Sequence, residues 1–225
     1  MLKYPCLILD HDDTVVQSEA TINYPCFCSY LEQYRPGITM SLSEYVDACS
    51  NMSFVDMCKR RFSLTDEEMY QEYLFWQEYM ASHIPAVYPG ICQLLQEYRK
   101  AGGKICVVSM SSQEIILRDY RHHFGFVPDR VYGCDLPKEH QKPSTWALEQ
   151  IQREYGFSAG EMLIVDDMKF AVSMALRAGS PIAFAGWGRK EFPALCKEMD
   201  ELCDYAFYAV DDLKDFLFGE GQHGN

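Results

Sequence analysis

Three aspartates lie within four positions, directly after the apolar run 7–9. Asp10, Asp12 and Asp13 repel one another, and carboxylates are rarely buried without partners. The cluster is therefore either a solvated turn or a place that binds a cation. A lone Asp-x-Asp-x-Thr pattern, here ending at Thr14, does not decide between these interpretations, because strands commonly end in polar turns.

The residues at other predicted strand ends favour the interpretation as a cation-binding site. The next strand ends in Ser109, and a later strand ends in Asp166 and Asp167. Lys142 opens the helix that precedes that later strand. Ligands of open parallel sheets bind outside the carboxyl ends of the strands, so these side chains predict a site for a divalent cation and an anion. Strand alternation predicts that His11 points away from this site.

Six short β-rich segments are predicted to position these side chains. They are Pro5–Asp10, Lys104–Ser109, Arg130–Gly133, Glu161–Asp166, Pro181–Gly186 and Asp204–Tyr208. From the second segment onward they alternate with helical segments that end in glycine, a residue common at helix C-termini. Near-continuous apolar strands that alternate with helices predict an α/β fold, with a mostly parallel sheet covered on both faces.

Residues 17–86 interrupt this alternation. The interval has only helical patterns, among them a capping box of Thr65 and Glu68 followed by apolar residues at helical spacing. An all-helical insertion after the first strand of an α/β sheet predicts a second domain. We therefore predict a core domain of residues 1–16 and 87–225 and a helical cap domain of residues 17–86.

Composition narrows the class of protein. The 225 residues carry a net charge of −13, with 48% hydrophobic and 24% charged residues. Such a chain folds as a globular protein and lacks the basic surface that binds nucleic acid. No apolar run approaches the roughly 18 residues of a membrane span, and no signal-peptide pattern opens the chain. The ten cysteines include no Cys-x-x-Cys pair, so we expect buried thiols in a reducing cytoplasm.

Four motifs in order resemble those of the haloacid dehalogenase-like hydrolase superfamily: "LDHDDTVV", "CVVSMSS", "KPSTWAL" and "LIVDDMKFAV". The segments "YPGICQLLQEYRKAG" and "AGWG" are similar to the branch of phosphoglycolate phosphatases and β-phosphoglucomutases. The resemblance spans nearly the whole chain. It implies a three-layer αβα, Rossmann-like catalytic core with an inserted all-helical cap. It also implies an Mg²⁺-dependent phosphatase that acts on a small phosphorylated metabolite.

The resemblance assigns roles to the acidic residues. Asp10 and Asp167, with the backbone carbonyl of Asp12, match the Mg²⁺ ligands. Asp166 matches an accessory acidic position. Asp10 also matches the nucleophile that forms an aspartyl-phosphate, and Asp12 matches the general acid and base. Asp13 departs from the family, which usually has glycine there. Aspartate adopts unusual backbone angles more readily than most residues, so we expect it to be tolerated.

The remaining motif residues match a phosphate-binding role. Lys142 and Ser109, with backbone N–H groups near Met110, match the groups that hold the phosphoryl oxygens. Met110 itself replaces a frequent asparagine or threonine, and Thr145 replaces a frequent proline. Neither change removes a charge that the mechanism needs.

Three questions stay open at the level of sequence. The basic run Lys59, Arg60 and Arg61 is either a solvated helix end or a contact for a second anionic group of the substrate. A sugar phosphomutase would commonly carry a histidine shortly after the first motif, where this chain has Ile22. An inactive interaction scaffold would be free to lose the motif residues that are intact here. The sequence indicates neither the identity of the substrate nor the oligomeric state.

Overall fold

The sheet of the computed structural model, which describes residues 2–219, has six parallel strands. They are β1 Cys6–Leu9, β2 Lys104–Val108, β3 Arg130–Tyr132, β4 Met162–Asp166, β5 Ile182–Ala185 and β6 Tyr205–Phe207. Their order across the sheet is β3-β2-β1-β4-β5-β6. All six predicted strands are confirmed, with ends within one residue of those expected. Residues 220–225 of the tail "GEGQHGN", which the sequence predicts to fray, lie outside the described residues.

The register of the central strands brings three strand ends to one place. Leu9 of β1 pairs with Val107 of β2 on one side and with Val165 of β4 on the other. The N–H of Asp10 continues this pairing and donates to the carbonyl of Val165 over 2.9 Å. The strand order reverses between β1 and β4, and open α/β sheets bind their ligands at such a point.

Helices cover both faces of the sheet. These helices are α5 Ile91–Lys100, α6 Gln113–Phe124, α7 Trp146–Tyr155, α8 Lys169–Ala178, α9 Pro193–Leu202 and α10 Val210–Phe218. Four helices precede them along the chain and belong to a separate helical unit: α1 Tyr24–Tyr34, α2 Leu42–Asn51, α3 Phe54–Phe62 and α4 Asp66–Ser82. On one face, Leu7 and Leu9 of β1 share a core with Tyr98 of α5, Tyr120 of α6 and Leu213 of α10. On the other, α8 packs on β4 and β5, and α9 packs on β6. This three-layer arrangement confirms the predicted α/β class.

Two compact units make up the described chain. One comprises the described parts of Met1–Val16 and Val87–Asn225, and the other is Gln17–Ala86. The first contains the whole sheet, and the second is entirely helical. Within residues 2–219, none of the helices combines the length and the apolarity that crossing a bilayer requires.

The helical unit begins with a π-helical turn, Glu19–Asn23, followed by α1 to α4. Capping boxes mark the start of two of its helices. Ser41 and Glu44 form one before α2, and Thr65 and Glu68 form the predicted one before α4. Its core is aromatic. The Phe27 ring lies 5.2–5.9 Å from the rings of three other aromatic residues, measured between centroids; these are Tyr45, Phe54 and Phe62.

One carboxyl group is buried in this helical unit. Glu72 of α4 is 5% exposed, and burial raises its pKa to about 7. Burial, and then the charge of Glu72, raises the pKa of the Cys26 and Cys58 thiols, which places these groups in one apolar region. An ionised carboxylate is poorly solvated there, so the folded state favours the protonated form.

We predict that Glu72→Gln removes a pH dependence of stability. Between pH 4.5, the ordinary pKa of glutamate, and about 7, the folded state binds more protons than the unfolded state. The free energy of unfolding therefore falls as pH rises through this window, by about 2–3 kcal/mol in total. Glutamine cannot ionise, so the variant keeps its stability up to pH 8. Urea unfolding followed by circular dichroism at pH 5, 6, 7 and 8 measures the difference.

The exposed Glu78 of the same helix provides a matched control. Glu78→Gln is expected to retain the pH dependence of the unmodified chain. An equal loss of stability with rising pH in Glu72→Gln and in the unmodified chain would contradict the assignment.

Candidate active site

A lysine lies between two buried carboxylates at the ends of β1 and β4. Lys142 Nζ is 2.6 Å from Asp10 Oδ1, and it also forms an ion pair with Asp166 Oδ2. The Lys142 side chain is 4% exposed. The structure thus brings together three of the residues predicted from the motifs, although Lys142 lies 132 residues from Asp10 along the chain.

A second cation, which the sequence analysis missed, holds the other aspartates. Arg189 Nε and Nη2 lie 2.7 and 2.5 Å from Asp167 Oδ2. Its Nη1 lies 2.8 Å from Asp13 Oδ2. The hydroxyl of Thr14 donates to Asp167 Oδ1 over 3.4 Å. Arg189 follows "AGWG" at the carboxyl end of β5, the neighbour of β4, and a basic residue at that strand end is the signal that could have indicated it.

Backbone geometry brings Asp13 to this arginine. Asp13 has a φ of 50°, in the left-handed region, where aspartate is more readily accommodated than most residues. A Cβ on Gly188 would lie 2.4 Å from the Asp13 carbonyl oxygen and 2.6 Å from the Tyr88 hydroxyl. Trp187 Nε1 donates to the Thr14 carbonyl over 3.0 Å. The "AGWG" segment therefore packs its backbone directly on the loop that follows β1.

The charges of the site shift its protonation equilibria. Burial raises the pKa of the Asp10 carboxyl, Lys142 opposes this shift, and the carboxylates of Asp166, Asp167 and Asp12 add to it. Burial also raises the pKa of Asp166, again against Lys142. Burial alone would lower the pKa of Lys142, but Asp10 and Asp166 outweigh it and raise that pKa. Lys142 therefore stays charged. Additional positive charge nearby would stabilise the ionised forms of Asp10 and Asp166.

Asp12 and His11 differ in exposure and direction. Asp12 is half-buried, whereas Asp10 is buried. His11 is fully buried, and its Nε2 hydrogen-bonds Asp119 Oδ2 of α6 over 3.1 Å. The same aspartate pairs with Arg118. The histidine therefore anchors the loop to α6 and points away from the acidic cluster, as strand alternation predicts.

The loop after β2 presents the predicted phosphate-binding groups. Ser109 is buried, and its hydroxyl accepts a hydrogen bond from the Ser111 N–H over 3.2 Å. Met110 is 50% exposed, and within residues 2–219 its N–H has no acceptor. Cys134 N–H donates to the Ser111 carbonyl over 2.9 Å. A Cβ on Gly133 would lie 2.6 Å from that carbonyl oxygen, so only glycine lets the end of β3 support the loop this closely.

The donor set fits a hard cation. Four aspartates of the first and fourth motifs form ion pairs with two cations, Lys142 and Arg189. Mg²⁺ is commonly held by one or two carboxylates, with water and substrate phosphate as its other ligands. Within residues 2–219, no group of three or more His, Cys, Asp or Glu side chains is arranged to hold a metal ion by itself.

The basic run of the helical unit lies in the last turn of α3. Lys59 Nζ forms an ion pair with Asp66 Oδ1 at 2.6 Å. Arg60 and Arg61 are exposed. A contact between these residues and the substrate remains a prediction.

Comparisons with known proteins agree with this architecture. A sequence model of the haloacid dehalogenase-like hydrolase family matches residues 7–185, and the resemblance to that family is thereby confirmed. No curated protein matches the chain.

Three solved structures illustrate the likeness of fold. A predicted phosphoglycolate phosphatase from Haemophilus somnus has a TM-score of 0.74 at 16% identity, covering 95% of this chain and 97% of its own. CbbY from Rhodobacter sphaeroides in complex with phosphate has a TM-score of 0.73 at 17% identity, covering 93% and 96%. A CbbY variant in complex with xylulose-(1,5)bisphosphate has a TM-score of 0.71 at 18% identity, with the same coverage.

Proposed function

The chain belongs to the haloacid dehalogenase-like hydrolases, and we propose that it is an Mg²⁺-dependent phosphatase of a small phosphorylated metabolite, acting through an aspartyl-phosphate on Asp10. One observation carries the proposal: Lys142 lies between the buried carboxylates of Asp10 and Asp166. Phosphoryl transfer requires a positioned nucleophile surrounded by positive charge, and this cluster provides the nucleophile and part of that charge.

The residues for the cation are Asp10, Asp167 and the backbone carbonyl of Asp12, with Asp166 as an accessory carboxylate. Bound Mg²⁺ would supply positive charge to the phosphoryl oxygens. Asp10 and Asp166 each form an ion pair with Lys142, so the lysine restrains the direction of both carboxylates.

The protein groups account for both chemical steps. Lys142 holds Asp10 Oδ1, which leaves Oδ2 to attack phosphorus while the bond to the leaving oxygen breaks and Asp12 protonates that oxygen. In the second step Asp12 takes a proton from water, and the water oxygen attacks phosphorus. Phosphate then leaves and the Asp10 carboxylate is restored. This division into two steps is covalent catalysis. General acid–base catalysis, the role proposed for Asp12, typically raises a reaction rate 10²–10⁴-fold.

The transferring phosphoryl group also needs donors. The Ser109 hydroxyl, the Met110 N–H and the Lys142 ammonium are proposed to bind its oxygens, where fixed donors stabilise charge that develops during transfer. The CbbY complex with phosphate supports this role by analogy of fold. The exposed Arg60 and Arg61 are proposed as a contact for a second anionic group of the substrate.

We predict that Asp10→Asn abolishes turnover of an aryl phosphate such as p-nitrophenyl phosphate. Asparagine keeps the shape but lacks the attacking charge and one ligand charge. Excess EDTA is expected to do the same, and added Mg²⁺ to restore the rate. Absorbance of the released phenol at fixed pH measures all three.

Asp215→Asn, a change of the same type at an exposed position of α10, is the matched control and should keep the full rate. Substantial turnover by Asp10→Asn, or by the unmodified chain in excess EDTA, would falsify the mechanism.

For the basic run, we predict that Arg60→Ala or Arg61→Ala raises KM for substrates with a second anionic group by tenfold or more. A contact distant from the reacting bond contributes mainly uniform binding, so kcat should change less. Steady-state kinetics on sugar bisphosphates and on p-nitrophenyl phosphate separate the effects. Arg153→Ala, at an exposed arginine in the last turn of α7, serves as the control. Equal effects on both substrate types would favour a solvated helix end.

Phosphatase and phosphomutase differ in what accepts the phosphoryl group from Asp10. A mutase must deliver it to a second hydroxyl of a reoriented sugar. Here Ile22, an apolar and buried residue of the π-helical turn, stands where relatives of that type commonly carry histidine. We predict that a phosphorus NMR time course with a hexose 1-phosphate shows inorganic phosphate as the product. Efficient formation of the 6-phosphate, with little phosphate released, would establish the mutase instead.

A further inference from the structure

Arg189 contacts Asp167, one of the residues proposed to bind the cation. We propose that Arg189 is a positioning residue for Asp167, and that Asp13 is present to offset the charge of Arg189. The inference rests on the proposed function, because it concerns how this chain orients its Mg²⁺ ligand. Neither residue belongs to the four motifs as nucleophile, acid or ligand.

The contacts favour orientation of the carboxylate. Arg189 Nε and Nη2 both contact Asp167 Oδ2, at 2.7 and 2.5 Å. Within residues 2–219, Oδ1 receives only the longer contact from the Thr14 hydroxyl, at 3.4 Å. The planar guanidinium thus fixes one oxygen and leaves the other directed away from it. Such a fork restricts the rotation of a carboxylate more than a single ammonium does.

Burial requires that the charge of Arg189 be paired. Arg189 is 2% exposed, and a guanidinium at that depth needs partners for its charge. It contacts two carboxylates, one on the loop after β1 and one after β4. The side chain therefore ties together the two loops that supply the proposed cation ligands.

The charge balance explains Asp13. A guanidinium beside a ligand of Mg²⁺ would repel the cation if no anion accompanied it. Asp13 Oδ2 lies 2.8 Å from Arg189 Nη1, and the two side chains together add no net charge to the site. Asp13 adopts a φ of 50°, which is less favourable for aspartate than for glycine. The ion pair with Arg189 provides a compensating interaction for that conformation.

The experiment measures Mg²⁺ binding by titration calorimetry on the whole chain, so that activity is not the readout. Arg189→Lys keeps the charge and loses the fork; Arg189→Gln loses both. Positioning predicts that both variants bind Mg²⁺ at least tenfold more weakly, since changes to groups that orient metal ligands typically cost 10–100-fold in affinity. A purely electrostatic effect of Arg189 predicts unchanged binding in Arg189→Lys and tighter binding in Arg189→Gln, and either result overturns the proposal.

Asp13→Asn tests the pairing. It is expected to weaken Mg²⁺ binding when Arg189 is present, and to have a smaller effect in the Arg189→Gln background. Equal effects in both backgrounds would show that Asp13 acts on the cation independently, which contradicts the pairing.

Leu213→Ala provides a control for general loss of stability, because Leu213 is a fully buried residue of α10 outside the acidic cluster. This variant should leave the affinity for Mg²⁺ unchanged. Near-ultraviolet circular dichroism checks that it folds. If Arg189→Gln does not fold, Arg189→Lys still decides the positioning role, and unchanged Mg²⁺ binding in Asp13→Asn alone would overturn the role of Asp13. No Mg²⁺ binding by the unmodified chain would refute the proposed function and this inference together. Normal binding by that chain with unchanged binding in Arg189→Lys would refute the inference alone.

Discussion

The site depends on pairing several buried carboxylates with positively charged side chains. Asp10, Asp13, Asp166 and Asp167 are all less than a tenth exposed, and carboxylates at such depth are stable only when paired. Two cations from distant segments meet this requirement. Lys142 binds the carboxylates at the ends of β1 and β4, and Arg189 binds the carboxylates beside them. The loops of the site are arranged so that both cations reach the cluster.

Close backbone packing makes these ion pairs possible. Gly188 approaches the loop after β1, and Gly133 approaches the loop after β2, each at distances that a Cβ would not allow. The first contact places the residue after Gly188, which is Arg189, beside Asp167. The second holds Ser111, and with it the segment that carries Ser109 and Met110. Small residues at the strand ends thus determine where the charged and donor groups lie.

The remaining negative charge connects structure with the proposed chemistry. The acidic residues outnumber the two cations, and the pKa of Asp10 is raised although Lys142 opposes the shift. A divalent cation would complete the balance and favour the ionised nucleophile. The helical unit differs, because its core includes packed aromatic rings and a buried glutamate whose pKa is raised, and three of its basic residues lie in the last turn of α3.

The sequence by itself determined the features that depend on neighbours along the chain. Apolar runs located every strand, a capping box located the start of α4, and glycines such as Gly125 and Gly156 adopt the left-handed conformation expected where helices end. The four motifs predicted Asp10, Lys142 and Asp166, which the structure brings together. Only the tertiary structure revealed Arg189 and Asp119. Each pairs with a loop residue more than 100 positions away, Asp13 and His11 respectively. Such ion pairs form only where the sheet order brings strand ends together, and they leave no periodic signal in the sequence.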